Sequence, residues 1–176
     1  MARRLLLVAL ALAPRLAHAS SGSCTFESGL CGWANSGKSK WVRGTKTPSS
    51  STGAQKAQGG SWFMFLETSS PSSAGYTSEL THAVPAGTTA VSWYFHMHGA
   101  TMGTLRLEAY TKAGWKRLWS KAGQQHKSKS AAFSAAKARQ APRACVQMCA
   151  LIRSALPSPH NVTTLFQLFE LQTYHS

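Results

Sequence analysis

AVSWYFHMHGATMGTLRLEAY, residues Ala90 to Tyr110, decides the fold class. Val91, Trp93, Phe95 and Met97 alternate with Ser92, Tyr94, His96 and His98. After Gly99 and Gly103 the alternation resumes, with Leu105, Leu107 and Ala109 on one face and Thr104, Arg106, Glu108 and Tyr110 on the other. A period of two, β-branched and aromatic residues, and glycines at the break predict two strands forming an antiparallel hairpin. One face is apolar enough to be half of a sandwich core, and the other is polar, so the pair is expected to be covered on one side.

Working outward, the chain continues as short strands separated by turn signals. Trp41–Arg43, Ser61–Glu67, Gly75–Leu80 and Trp115–Ser120 read as strands. Trp62, Met64 and Leu66 alternate with Phe63 and Phe65, which predicts a strand buried on both faces. Trp115 and Trp119 are expected on one face of theirs. Residues 44–60 are rich in Ser, Thr, Gly and Lys without periodicity and read as a loop. Strands at this spacing predict an all-β fold, an antiparallel β-sandwich or jelly roll.

The 176 residues suggest one domain with appendages. Residues 1–19 have the form of a secretory signal peptide: basic Met1–Arg4, apolar Leu5–Ala13 and an Ala17-His18-Ala19 cleavage site. The apolar run is too short to span a bilayer, and no later segment is long and apolar enough, so no membrane span is expected after cleavage. The chain carries 19 Lys and Arg against five acids, all Glu. Without Asp an Asp-rich calcium loop is excluded, and a Ser-His-acid triad would have to draw on those five Glu. Beyond residue 19, six basic residues precede Thr111 and ten follow it, so the second part of the chain is the electropositive one.

Four cysteines are present. In an oxidising compartment Cys24 and Cys31 are candidates for a short-loop disulfide that staples Phe26 and Trp33 into the core. Cys145 and Cys149 would share one helix face near the upper end of the usual disulfide separation, so a bond between them stays open.

Cys24-x-Phe26-Glu27-x-Gly29-Leu30-Cys31-Gly32-Trp33 resembles the opening of a MAM domain, the extracellular module of meprins, neuropilins and receptor tyrosine phosphatases. Further likenesses follow in order: Thr52-Gly53, Trp62–Ser69, Ala74–Leu80, Val91–Leu105 and Leu118–Gln125. The resemblance covers about residues 24–127 and implies a β-sandwich that recognises other proteins and carries no catalytic residues. The chain departs from the family at Ala90, where a third cysteine is common, and near residues 55–57, where the family's loop acid is missing and no cation site is carried over. Past about residue 128 the family's closing strands find no match.

The expected domains are therefore the signal peptide 1–19, a MAM-like sandwich 20–127 and a basic Ala-rich tail 128–176. Within the tail Cys145, Met148, Cys149, Ile152 and Leu156 recur at helical spacing and predict an amphipathic helix over 143–156. The tail is either a divergent ending that covers the sandwich or a replaced ending, from an intron or a shifted frame, that leaves the sandwich incomplete with an exposed edge.

His96 and His98 share a strand face, as a zinc site would need, but a third ligand is not evident, with His82 and His126 the nearest histidine candidates; no metal and no cofactor are expected. Catalysis is not expected: no G-x-S-x-G elbow or His-Glu-x-x-His stands in the chain, and Cys145 or Cys149 would need a low-pKa setting. The residues expected to form the core are Trp33, Trp62, Trp93, Phe95 and Leu105. Asn161-Val162-Thr163 is a glycosylation sequon. The expectation is a secreted or cell-surface-associated protein that binds extracellular proteins, itself included. The alternative is contact with a polyanion, a glycan or anionic surface, through the basic tail. No nucleic-acid motif is present.

Overall fold

The computed structural model of the protein describes residues 23–67, 75–85, 88–100, 102–139, 145–151 and 166–175, with side chains left out for 151 and 166–175. The signal peptide 1–19, Asn161 and residues 143–144 and 152–156 lie outside the described residues. Eleven strands are present among those described: β1 (Ser23–Cys24), β2 (Ala34–Gly37), β3 (Trp41–Gly44), β4 (Phe63–Leu66), β5 (Thr77–Ala83), β6 (Thr88–Met97), β7 (Thr104–Thr111), β8 (Gly114–Ala122), β9 (Ser134–Arg139), β10 (Cys145–Leu151) and β11 (Phe166–His175). They build two antiparallel sheets. One runs β3-β4-β11-β6-β9, with β1 also paired to β11; the other runs β2-β5-β10-β7-β8. The expected antiparallel β-sandwich is what the chain forms.

The stretch Ala90–Tyr110 supplies the two strands that its alternation predicts, but they are not a hairpin. β6 lies in the first sheet and β7 in the second, so residues 98–103 arch from sheet to sheet. The reason lies in the apolar faces. Val91, Trp93, Phe95 and Met97 are buried on β6, and Leu105, Leu107 and Ala109 are buried on β7. Set side by side in one sheet the two faces would still need a cover; set in opposite sheets they cover each other. Fully burying one such side chain stabilises the fold by about 1.5–3 kcal/mol. The arch is tied down on both sides: the Gly53 N–H donates to the His98 carbonyl at 2.9 Å, and the Gly123 N–H to that of Gly103 at 2.9 Å. Gly99 sits at φ +146°, and a Cβ there would come within 2.9 Å of the Thr52 methyl, so only glycine fits the close approach.

β4 is buried along its whole length, as its run of apolar residues predicts. Trp115 and Trp119, however, fall on opposite faces. The register of β7 and β8 slips between Leu107 and Glu108, pairing Leu107 with Trp119 and Glu108 with Arg117. The additional residue is Leu118, and such a bulge inverts the alternation beyond it. Trp119 packs against the core while Trp115 stays exposed.

The region beyond residue 127 is not a separate tail. β9 edges the first sheet, β10 lies between β5 and β7, and β11 lies between β4 and β6. The positions expected to be short of strands are therefore filled. The amphipathic helix expected over 143–156 is replaced, at Cys145–Leu151, by a strand. Those seven residues carry both patterns: Cys145, Met148 and Cys149 at helical spacing, and Val146, Met148 and Ala150 at a period of two. The vacant edges of β5 and β7 decide between them, because a strand there satisfies backbone groups on both sides, and Val146, Met148 and Ala150 become buried. A disulfide between Cys145 and Cys149 is likewise corrected. Both thiols are free, because four strand residues span on the order of 13 Å, beyond disulfide reach.

Truncation after Lys127 is expected to yield insoluble or unfolded protein, since it strips a neighbour from β4, β5, β6 and β7. Met148→Ala in the full chain should cost about 2–5 kcal/mol, read as a lowered urea midpoint. A soluble, cooperatively folding truncation would refute this placement of the strands.

Candidate recognition surface

The first loop is stapled. Cys24 and Cys31 are bonded, with their Cα atoms 5.8 Å apart. Phe26 and Cys31 both have positive φ, 62° and 49°, a conformation that costs a non-glycine residue about 1–3 kcal/mol and persists only where the surroundings impose it. The disulfide and Arg43 impose it here. The Arg43 Nε donates to the Phe26 carbonyl and Nη2 to that of Glu27, each at 2.5 Å. The guanidinium lies 3.6 Å from the centre of the Trp62 ring, a cation–π contact. Glu27 closes the circuit: its Oε1 accepts from the backbone N–H groups of Trp62 and Ser61, at 2.8 and 2.9 Å, and these bonds lower its pKa. The loop thus offers solvent a fixed shape, with Leu30 36% exposed at its tip.

The expected core residues divide accordingly. Trp33, Trp93, Phe95 and Leu105 are buried. Trp62 is not in the core: it is half-buried, beneath Arg43. It precedes the strand, where the alternation no longer sets its direction.

The histidines form a stack rather than a converging ligand set. His96 is wholly buried and lies 4.3 Å from His126, ring centre to ring centre, with the planes 16° apart; His98 is 6.5 Å from His96. His126 replaces a strand residue at the end of β6. Its backbone N–H donates to the Met97 carbonyl, and its Nδ1 accepts from the Met97 N–H at 2.9 Å. Its Nε2 therefore carries the proton, which faces Ser134 Oγ at 3.1 Å. His98 Nδ1 donates to the His126 carbonyl at 2.9 Å. Phe133 covers the other side of His96, 5.3 Å away. Among the described residues no three His, Cys or Glu side chains are grouped to hold a metal ion. In the sequence His126 stands only beside His82 as a candidate partner, because thirty residues separate it from His96.

Burial, and then the neighbouring His126, hold the His96 pKa down at about 4; burial also lowers His126 and His82. On the outer face of the second sheet, Cys149 Sγ donates to Glu108 Oε2 at 3.4 Å. Burial and the Glu108 charge push that thiol up to about 12, so it stays protonated and unreactive at neutral pH.

Two grooves stand out among the described residues. One of about 740 Å³ lies between residues 55–58 and 129–133, with Lys56 and Lys129 among its walls. The Gln55 N–H donates to the Lys129 carbonyl, and Lys129 Nζ to that of Ser49, so the two loops brace each other. The second, of about 330 Å³, lies between β8 and β9 and has Phe95 and Trp119 in its lining.

The histidine stack sets a pH dependence. A histidine whose folded pKa lies below its unfolded value binds fewer protons when folded, so its contribution is intact above about pH 6.5 and is lost as pH falls towards 4. For His96 the loss is on the order of 3 kcal/mol across that window. Urea midpoints at pH 7.5 and 5 should drop accordingly for the native chain and drop less for His96→Phe; equal drops would remove His96 as the cause.

The architecture has known counterparts. A cleaved adhesin domain of Lys-gingipain superposes with a TM-score of 0.62 at 13% identity, covering 86% of this chain and 98% of that one. Another, from Porphyromonas gingivalis, gives 0.61 at 9% identity, over 88% and 98% of the two chains. A xylan-binding domain of carbohydrate-binding module family 22 gives 0.52 at 15% identity, over 87% and 92%. At these identities the likeness is one of fold. The sequence match to the MAM domain, meprin/A5/mu, runs over residues 24–155 and takes in β9 and β10 but not β11, and by that match this chain belongs to the MAM domain family.

Proposed function

We propose that this protein is a secreted or cell-surface-associated recognition module that performs no chemistry and binds other extracellular proteins, a second copy of itself among them. MAM domains are an extracellular family, and no helix among the described residues is long and apolar enough to cross a membrane. The observation that carries the reading is the stapled first loop. It holds two non-glycine residues at positive φ, is fixed by a disulfide and two Arg43 hydrogen bonds, and presents an apolar tip at Leu30. A pre-formed shape loses little entropy when a partner docks. Hydrolytic chemistry has little to work with: His126 is held by the Met97 N–H and Ser134, His98 Nδ1 by the His126 carbonyl, His96 is sealed against His126, and the Cys149 thiol stays protonated.

Polyanion contact is a second reading, and one observation favours it. Between Thr111 and Arg139 stand eight Lys and Arg and no acid. Because these residues belong largely to strands, such contact would be made by the wall of the sandwich rather than by a separate tail.

The secreted product of expressing cells is expected to begin at Ser20, with Cys24 and Cys31 linked and Cys145 and Cys149 free. Non-reducing peptide mapping reads this directly, and a product retained inside cells with its first residues intact would contradict export. Purified protein on beads should cluster them or coat cells, and Leu30→Glu should weaken that association about tenfold while leaving the near-ultraviolet circular dichroism unchanged. Beads that neither cluster nor bind cells would overturn the reading.

A further inference from the structure

We propose that the groove between β8 and β9 binds a linear anionic glycan, a sugar chain bearing sulfate or carboxylate groups. The proposal rests on the reading of the chain as an extracellular recognition module, and assigns it a site and a ligand class.

The groove follows from strand order. β8 is the last strand of one sheet and β9 the last of the other, so both run as edges along the same side of the sandwich. The register sets Ser134, Ala136 and Ala138 of β9 opposite Phe95, Trp93 and Val91, which fixes these three small side chains as the inward ones. They are short, and a groove is left between the two edge strands. Phe95 and Trp119 are left in the lining, with Ser134 and Gln125 beside them and Lys121 and Lys137 on opposite walls. Trp119 does not swing freely: Phe95 and Trp93 hold it edge-on, with ring centres 4.9 and 5.1 Å away. An aromatic floor fixed in advance and a cation on each side form a site for a sugar ring carrying an anionic substituent, while the Ser134 hydroxyl is engaged by His126 Nε2 and the Gln125 amide by the Ala122 carbonyl.

The charge pattern extends the site beyond one ring. Lys116 continues along β8 on the face of Trp119 and Lys121, and Arg139 continues along β9 on the face of Lys137. No glutamate stands on β8 or β9 themselves, and the nearest acid across β8 is Glu108, opposite Arg117. An extended polyanion could track such a double rail. The aromatic rings line a groove of about 330 Å³ between two edge strands, and a slender chain follows such a groove better than a flat lipid surface does. Lysine on edge strands also guards against edge-to-edge pairing; that role needs the charges but not the slot, and the two are separable.

The test is calorimetric titration of the purified full chain with a fully sulfated heparin-type hexasaccharide in 150 mM salt. Lys121→Gln with Lys137→Gln should weaken binding about tenfold or more. Lys38→Gln with Lys40→Gln removes the same charge from the β2–β3 connection, at the other end of both sheets, and should change binding less than about twofold. Equal losses in the two double variants would mean diffuse charge attraction and would overturn the groove. So would native protein that fails to bind, or that binds a single-stranded oligonucleotide of equal charge as tightly. Bead clustering and cell coating are measured without glycan, so a failure here leaves the protein-recognition reading standing.

Discussion

Backbone pairing by the strands β10 and β11 is the constraint on which everything else rests. β10 aligns seven residues with β5 and six with β7, and β11 spans the full length of β6 while also meeting β4 and β1. Each therefore satisfies hydrogen-bonding groups on two neighbours at once. Without them each sheet would split into separate pieces, and every strand that borders the gap would bury unpaired backbone, at a cost of several kcal/mol. The apolar faces of β6 and β7 can oppose each other only because these insertions hold their sheets together.

That dependence explains which parts of the architecture were legible in the sequence. Alternation is a local signal, so the strands at Val91–Met97 and Leu105–Ala109, the doubly buried Phe63–Leu66 and the stapled opening loop could all be read directly. Partnership is not local. The same alternation serves a hairpin and a sheet-to-sheet arch equally well, and nothing within Ala90–Tyr110 says which sheet each half will join. Cys145–Leu151 satisfies two periodicities at once, and the choice belongs to the strands that flank it. Leu118 inverts the parity of Trp115 and Trp119 without leaving any compositional mark. Of the proposed sites, the disulfide loop was evident from spacing, whereas the groove depends on β8 and β9 ending up as neighbours, which no stretch of sequence contains.

The histidine stack and the loops around it have a common origin. β9 begins at Ser134 opposite Phe95, so the last residues of β6 need another partner, and His126 takes that place. The loop that carries it must then fold back over the sheet, and there it meets residues 49–55. His96 is sealed beneath them. An imidazole with no hydrogen bond of ordinary geometry on either nitrogen is a costly core residue, and it makes this end of the sandwich sensitive to acid.

The central position of β11 also fixes the order of events at the ribosome. Residues 166–175 must join β1 and β4 on one side and β6 on the other, so the first sheet cannot close until residue 175 has been synthesised. Until then β4 and β6 present open edges separated by a strand-wide gap. Pairings at such long sequence separation form slowly, and the waiting intermediate is prone to association with its own kind. A nascent chain of this design carries unpaired edges for as long as β11 is missing.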